Sequence, residues 1–275
     1  MRRLALKGFT LIELIMVIVI VGILATMTTD IITLPVKSYI DLERRTTLVD
    51  TAEMSLRRMQ RDIRRALPNS IRVTGGTEIE LIHTIDGGRY RAADGVAAGG
   101  LCDGGTGKND TLEFDRNDDC FEFMGSLGAF DPQSVDGEFL VIYNTSTAEA
   151  YAGNNRVALV NSPSPGVIKF SSKNFSKLYD HSLQRFFIVD TPITYSCSDN
   201  ELRRYDNSND SSYTIGDSPT SPGKLQAKAA TLSCAFSYDE GTATRRGLVT
   251  IEITLTDEAE ESAKLIHQVH VDNVP

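Results

Sequence analysis

An apolar run of 19 residues near the N-terminus, residues 9–27, constrains this chain more than any other feature. Glu13 is the one charged residue in the run, and three basic residues but no acid precede it. A helix of this length extends about 28 Å, close to the roughly 30 Å hydrocarbon core of a bilayer. The basic flank predicts a cytoplasmic N-terminus, so we expect one membrane-spanning segment over residues 9–29 and the rest of the chain outside the cytoplasm. A cleaved signal peptide and a plain signal anchor are the alternatives.

The carboxylate of Glu13 lies inside this apolar segment, where a charge costs up to about 2.5–3.5 kcal/mol. A cut between Gly8 and Phe9 would create a partner, because the new α-amino group of Phe9 would be cationic. Within one helix the two groups are about 6 Å apart along the axis, but an axially staggered neighbour can bring its own Phe9 amine to Glu13. A buried pair of this kind fixes the register between subunits. The sequence therefore predicts an assembly role for Glu13.

A second helical pattern follows the apolar run. Pro35 predicts a kink or local unwinding, because proline removes one helical hydrogen bond. Pro68 predicts the end of the helix, so we expect it to cover residues 9–67. Arginines at 44, 45, 57, 58, 61, 64 and 65 lie mostly off the apolar face, where they would be solvated or meet acidic neighbours. The apolar stripe itself recurs at helical spacing and consists of Val49, Ala52, Leu56, Met59, Ile63 and Leu67.

Charge divides the chain into parts of different character. Residues 36–67 carry eight basic and five acidic residues, whereas residues 68–275 carry 17 basic and 30 acidic residues. The net charge of −9 argues against a nucleic-acid partner, since phosphate backbones are bound by clustered Lys and Arg. We therefore treat residues 1–8 as a leader, residues 9–67 as a helix and residues 68–275 as a separate acidic domain.

The acidic domain shows the period-2 alternation of half-buried β-strands. Long turn-rich stretches at 93–110, 144–155 and 207–223 separate the strands. The last two strands, on either side of a turn at residues 257–262, predict an antiparallel hairpin. The fold class is therefore α+β, with one long helix packed on an antiparallel sheet. We expect strands within 231–238, 249–255 and 263–271, and further strands at 78–83, 138–143, 156–160, 167–170, 185–190 and 193–197.

Four cysteines outside the cytoplasm predict two disulfides, for which three connectivities exist. Cys197 and Cys234 lie on the apolar faces of their strands, and Cys102 and Cys120 border one Gly- and Asp-rich loop. These positions favour Cys102–Cys120 with Cys197–Cys234. Free buried thiols are the alternative.

Metal and catalytic signals are weak. Asp115, Asn117 and Asp119 have the spacing of the first ligands of a calcium loop, but Cys120 stands where that loop needs glycine and Ser126 where it needs glutamate. An acidic turn and a calcium site of another geometry both fit this pattern. No Ser/His/Asp or Cys/His set is legible, so we expect no enzyme and no cofactor.

The leader resembles the cleavage signal of type IV prepilins and pseudopilins. The likeness rests on the sequence Lys-Gly-Phe-Thr-Leu-Ile-Glu-Leu at residues 7–14, followed by the apolar run. It implies cleavage after Gly8 by a prepilin peptidase, methylation of the Phe9 amine and packing of N-terminal helices through Glu13. It also implies an inner-membrane precursor with a periplasmic domain, and later a place in a filament.

Further stretches resemble the O-type minor pilins of mannose-sensitive haemagglutinin (MSHA) pili. They are residues 39–45, 61–70, 141–144, 150–156 and 270–275. This likeness implies a minor pilin that helps to initiate or cap a fibre used for surface attachment. It implies other minor pilins, the major pilin and the inner-membrane assembly platform as partners. The alternatives are a J-type minor pseudopilin of type II secretion and, of another class, a calcium- or glycan-binding tip adhesin.

Overall fold

The fold, a computed structural model, consists of one long N-terminal helix followed by an antiparallel β-domain. The structure describes residues 8–91, 102, 110–179, 183–206, 223–241 and 245–274. The α+β architecture expected from the sequence is confirmed. Its helices and strands are α1 (Leu11–Arg64), β1 (Arg72–Thr74), β2 (Glu78–Tyr90), β3 (Asn117–Met124), β4 (Phe139–Ile142), α2 (Thr147–Ala152), β5 (Arg156–Val160), β6 (Val167–Asn174), a 3₁₀ turn (Lys177–Tyr179), β7 (Arg185–Ser198), β8 (Glu201–Asp206), β9 (Lys224–Lys228), β10 (Thr231–Asp239), β11 (Gly247–Thr256) and β12 (Ser262–Val271).

Six strands close into a ring. Strand β2 pairs with both β3 and β7, and the path β3–β6–β5–β4–β7 completes the circle, with every pairing antiparallel. The interior is aromatic, since Tyr90, Phe121, Phe170 and Phe186 are almost fully buried there. Their rings meet edge-on or tilted, as for Phe121 and Phe186 with centroids 5.3 Å apart. This core holds together the part of the domain far from α1.

Irregular pairing in the middle of β2 lets that strand contribute side chains to two hydrophobic cores. The β2–β7 register shifts between Ile82 and Thr84 and again before Asp86. Such irregularities bend a strand and increase its twist. The second half of β2 lies in the ring, and the first half joins β1, β7, β8 and β9 in a sheet beside α1.

The three C-terminal strands form a second sheet in the order β10–β11–β12. The predicted hairpin is confirmed, with Ile253 opposite Leu265. The predicted inward face of β11 is buried along its whole length. Helix α1 packs between the two sheets, and its stripe of Ala52, Leu56, Met59 and Ile63 is the centre of the shared core.

The helix differs from the sequence expectation at its end and at Pro35. Helix α1 stops at Arg64 rather than at residue 67, because Leu67 N–H donates to Ile82 O at 2.8 Å and the chain joins the edge of β2. Of the kink or local unwinding expected at Pro35, the unwinding does not occur, since α1 is continuous through that residue, and the kink stays a prediction.

Several strands have no clear apolar alternation in the sequence. Strands β3, β8 and β9 are not among the strands predicted from the sequence. Strand β8 is charged, but Arg204 is buried with acidic partners and Leu202 faces the core.

Strand β2 runs past the predicted residue 83 through Gly87 and Gly88. A Cβ on Gly88 would lie 2.8 Å from the Phe186 ring, so glycine there allows close packing rather than a turn. Most of the turn-rich stretches 93–110 and 207–223 lie outside the described residues.

Candidate assembly site

The predicted cleavage point lies directly before the start of α1. Thr10 is the N-cap, with extended dihedral angles, and its hydroxyl accepts a hydrogen bond from the Glu13 backbone N–H at 3.3 Å. Thr10 and Glu13 therefore have the spacing of a capping box, in which a threonine precedes a glutamate by three residues. An acid in the first turn also complements the positive end of the helix dipole. The spacing of Thr10 and Glu13 can be recognised from the sequence alone.

The apolar side chains in the first half of α1 are exposed. Phe9 is 78% exposed, and the large apolar side chains from Leu11 to Met27 are about half exposed or more. In the described part of the chain, α1 is the one helix long and apolar enough to cross a membrane, judged by length and composition. An isolated apolar surface of this size requires lipid or other helices around it.

The second half of α1 is anchored in the β-domain by a buried ionic cluster. Asp62, on the stripe side of the helix, accepts hydrogen bonds from the Tyr195 hydroxyl at 2.8 Å and from Arg204 Nε at 2.7 Å. Arg204 also pairs with Asp206. Burial raises the pKa of the Tyr195 phenol, and the adjacent Asp62 carboxylate raises it further, so Tyr195 stays a donor. Sequence reasoning missed this cluster, because Asp62 is 133 residues from Tyr195 and 142 from Arg204 along the chain.

Both disulfides have the pairing that the sequence favoured. Cys197 on β7 is bonded to Cys234 on β10, which ties the two sheets together beside α1. Cys102 is bonded to Cys120 on β3. Most of the loop that this second bond closes lies outside the described residues.

The structure places the calcium candidates directly before β3 and within it. Asp115 Oδ1 accepts a hydrogen bond from the Lys177 backbone N–H at 2.7 Å, and Asn117 and Asp119 lie on β3. Asp118, which sequence reasoning passed over, binds the backbone N–H groups of Glu113, Asp119 and Cys120, while burial raises the pKa of its carboxyl. Within the ranges that the structure describes, no group of three or more His, Cys, Asp or Glu side chains is placed to hold a metal ion.

The arginines of α1 fall into two groups. Arg44 lies near Asp41, Arg45 reaches Glu261 at 3.9 Å, and Arg57 binds Glu53 at 2.6 Å. These pairs are solvent-exposed and contribute little to stability. Arg64 and Arg65, at the end of the helix, have no such acidic partner among the described residues.

The first half of α1 begins at the Thr10 cap with Glu13 in its first turn and exposes apolar side chains, and the helix then packs on antiparallel sheet. This arrangement is a type IV pilin-like fold. Comparison with family models agrees. Residues 6–29 match the family described as "Prokaryotic N-terminal methylation motif", so the chain carries the prepilin-like motif. Neither the curated proteins nor the solved structures contain a match to the chain.

Proposed function

We propose that this chain is a minor pilin of an MSHA-like type IV pilus, a structural subunit that helps to initiate or cap the filament. The observation that carries the proposal is the division of α1. From Leu48 onward one face of the helix packs on the β-domain, whereas the first half, directly behind the methylation motif, exposes its described apolar side chains. Such a helix can leave the bilayer only by exchanging lipid for other apolar helices.

In this proposal a prepilin peptidase cuts after Gly8, and the new Phe9 amine is methylated. The precursor is anchored in the inner membrane by residues 9–29, with the domain of residues 68–275 in the periplasm. The Phe9 amine of one subunit pairs with Glu13 of its neighbour. The exposed position of Phe9 and the location of Glu13 in the first turn of α1 leave both groups accessible to another helix.

The partners of the mature chain would be other minor pilins, the major pilin and the inner-membrane assembly platform, with contact through the N-terminal helices. The mature chain of 267 residues (275 less the leader of eight) is large for a subunit that tiles a whole fibre. That size supports a place at one end of the filament, at the cell surface. A structural role also accords with the absence of a legible catalytic set in the sequence.

Mass spectrometry of the N-terminus tests the proposal. Protein from membranes and from sheared fibres should begin at Phe9 and carry one methyl group on its amine. Mature protein that begins at another residue would overturn the proposal. Recovery with a secretion complex, and never with sheared pili, would instead assign the chain to the J-type pseudopilins. Glycan binding that depends on calcium would favour the adhesin.

The variant Glu13→Ala tests the pairing. We expect normal cleavage but loss of incorporation into sheared pili, because the Phe9 amine of the neighbour would lack its counter-ion. Thr10→Ala is the matched control, since it removes the N-cap hydrogen bond, worth about 1 kcal/mol, but keeps the carboxylate. Incorporation of Glu13→Ala at the level of the natural chain would contradict the pairing.

A further inference from the structure

A basic cleft of about 530 Å³ lies at the C-terminal end of α1, far from the apolar half of that helix. We call it the arginine cleft. Its walls come from the end of α1, from β2 and β7, and from the C-terminal residues. Four arginines line it, namely Arg64, Arg65, Arg89 and Arg185.

Two of these arginines oppose each other. Arg89 on β2 is the direct cross-strand partner of Arg185 on β7. Like charges directly opposite in an antiparallel pair destabilise it. Arg64 and Arg65 can be explained by the negative end of the helix dipole, but the two strand arginines have no such explanation.

Among the described residues, the carboxylates that line the cleft do not balance this charge. Asp86 and Asp272 also line the cleft, which leaves four cations against two anions. Asp86 is held by the backbone N–H groups of the adjoining loop, with Gly128 and Ala129 each at 2.8 Å. Arg89 has no ion pair among the described residues, and Arg185 donates only to Val274 O at 3.4 Å.

An acidic turn lies near the other end of the part of α1 that packs on the β-domain. The turn Asp257–Glu261 joins β11 to β12 and contains four carboxylates in five residues. Asp257 Oδ1 holds the turn by accepting from the backbone N–H groups of Ala259 and Glu261. Glu258 and Glu260 are exposed and form no ion pair within the described chain.

The turn and the cleft are too far apart to meet within one molecule. Glu261 lies beside Arg45, whereas the cleft begins at Arg64, about 28 Å further along the helix axis. The cleft is also about 55 Å along the helix from Met27, at the end of the apolar run, so the headgroups around a membrane-spanning α1 do not reach it.

We propose that the arginine cleft binds the turn Asp257–Glu261 of a second copy of this chain. Glu258 and Glu260 would enter between Arg89 and Arg185 and relieve their repulsion. The contact joins opposite ends of two copies, so it is heterologous and can repeat along a filament axis. It rests on the proposed filament role, and it would stack successive copies in a short segment at one end of the fibre.

Charge reversal in the full-length chain, purified in detergent with two different affinity tags, tests this contact. We expect differently tagged natural chains to co-purify, and the yield to fall at high ionic strength. Arg89→Glu alone and Glu258→Lys alone should reduce co-purification to the background of an untagged chain. Arg246→Glu is the matched control, because it makes the same charge change at an exposed arginine outside the cleft and should have no effect.

Mixing the two single variants gives the sharpest result. The turn of the Arg89→Glu chain and the cleft of the Glu258→Lys chain are both intact, so the mixture should co-purify although neither variant does so alone. Arg89→Glu should not lower the melting temperature, because it replaces a like-charged cross-strand pair by an opposite one. The loss of association would therefore not reflect unfolding.

Three outcomes would overturn the inference: no co-purification of natural chains, single variants that associate normally, or a mixture that does not associate. The cleavage site is read separately from the N-terminal mass of the same samples. A chain that is cut elsewhere but still shows complementation would refute the filament role and leave the contact intact.

Discussion

At the residue scale, Asp62 shows how one acid on an apolar helix face can direct packing. Its carboxylate lies among core side chains and is 11% exposed, close to the 10% of Arg204. Burial of either charge alone would cost several kcal/mol, so the helix can dock only where Arg204 and Tyr195 meet Asp62. The cluster therefore selects one axial position of α1 against β7 and β8.

We expect Asp62→Ala to lower the free energy of unfolding by about 3 kcal/mol, because it leaves Arg204 and the Tyr195 hydroxyl without their shared acceptor. Urea unfolding followed by circular dichroism measures the effect. Asp41→Ala removes an exposed carboxylate near Arg44 on the same helix and should change stability by less than about 0.5 kcal/mol. Equal effects of the two variants would refute the anchoring role of Asp62.

At the element scale, β2 and β7 are the long strands that unite the domain. Each runs from the sheet beside α1 into the closed ring of six strands around the aromatic core. The irregular pairing around Thr84 allows the change of direction. Gly87 and Gly88 then bring β2 close to Phe186. Asp-Gly and paired glycines are typical of turns, so the sequence does not indicate that the strand continues through them.

The disulfide between β7 and β10 is expected to be the stronger of the two covalent links. Replacement of Cys197 and Cys234 by alanine should cost about 4 kcal/mol in the chain-entropy model, against about 3 kcal/mol for Cys102 and Cys120, because the first bond spans 37 residues and the second 18. Thermal melts of the two double variants measure both costs.

Hydrogen exchange separates the link from a general loss of stability. Loss of Cys197–Cys234 should lower protection in β10 more than in β3, because this bond joins the C-terminal sheet to β7. The opposite ranking, with β3 more affected, would show that the inter-sheet bond does not hold the C-terminal sheet.

At the scale of the whole molecule, stability and assembly belong to different halves of α1. The described side chains before residue 48 are exposed, and burial against the β-domain begins at Leu48. The apolar half therefore contributes nothing to the core of the domain and is available to lipid or to other subunits.

A chain of residues 36–275 should accordingly keep the melting temperature of the full-length protein to within ~2 °C and stay soluble without detergent. A chain of residues 55–275 is the matched control. It lacks Leu48 and the fully buried Ala52, so it should melt at a clearly lower temperature. Thermal circular dichroism provides the comparison. A large loss of stability in residues 36–275 would show that the first half of α1 also supports the fold.

By itself, the sequence determined the parts of this protein that depend on local pattern. The apolar run with Glu13 is continuous, and the stripe from Ala52 to Ile63 and the alternation in β11 are periodic. Such patterns can be recognised without knowing which residues pack against them. Cleavage after Gly8 and the role of Glu13 follow from the same local pattern and stay predictions.

The tertiary structure alone decided what depends on distant residues. The closure of β2 on both β3 and β7, the burial of Arg204 with Asp62 and the meeting of Arg64, Arg89 and Arg185 in one cleft leave no periodic trace. The physical reason is that a charged side chain favours solvent unless a partner of opposite charge is present. Only the folded chain decides whether such a partner lies nearby, as for Arg204, or not, as for Arg89 among the described residues.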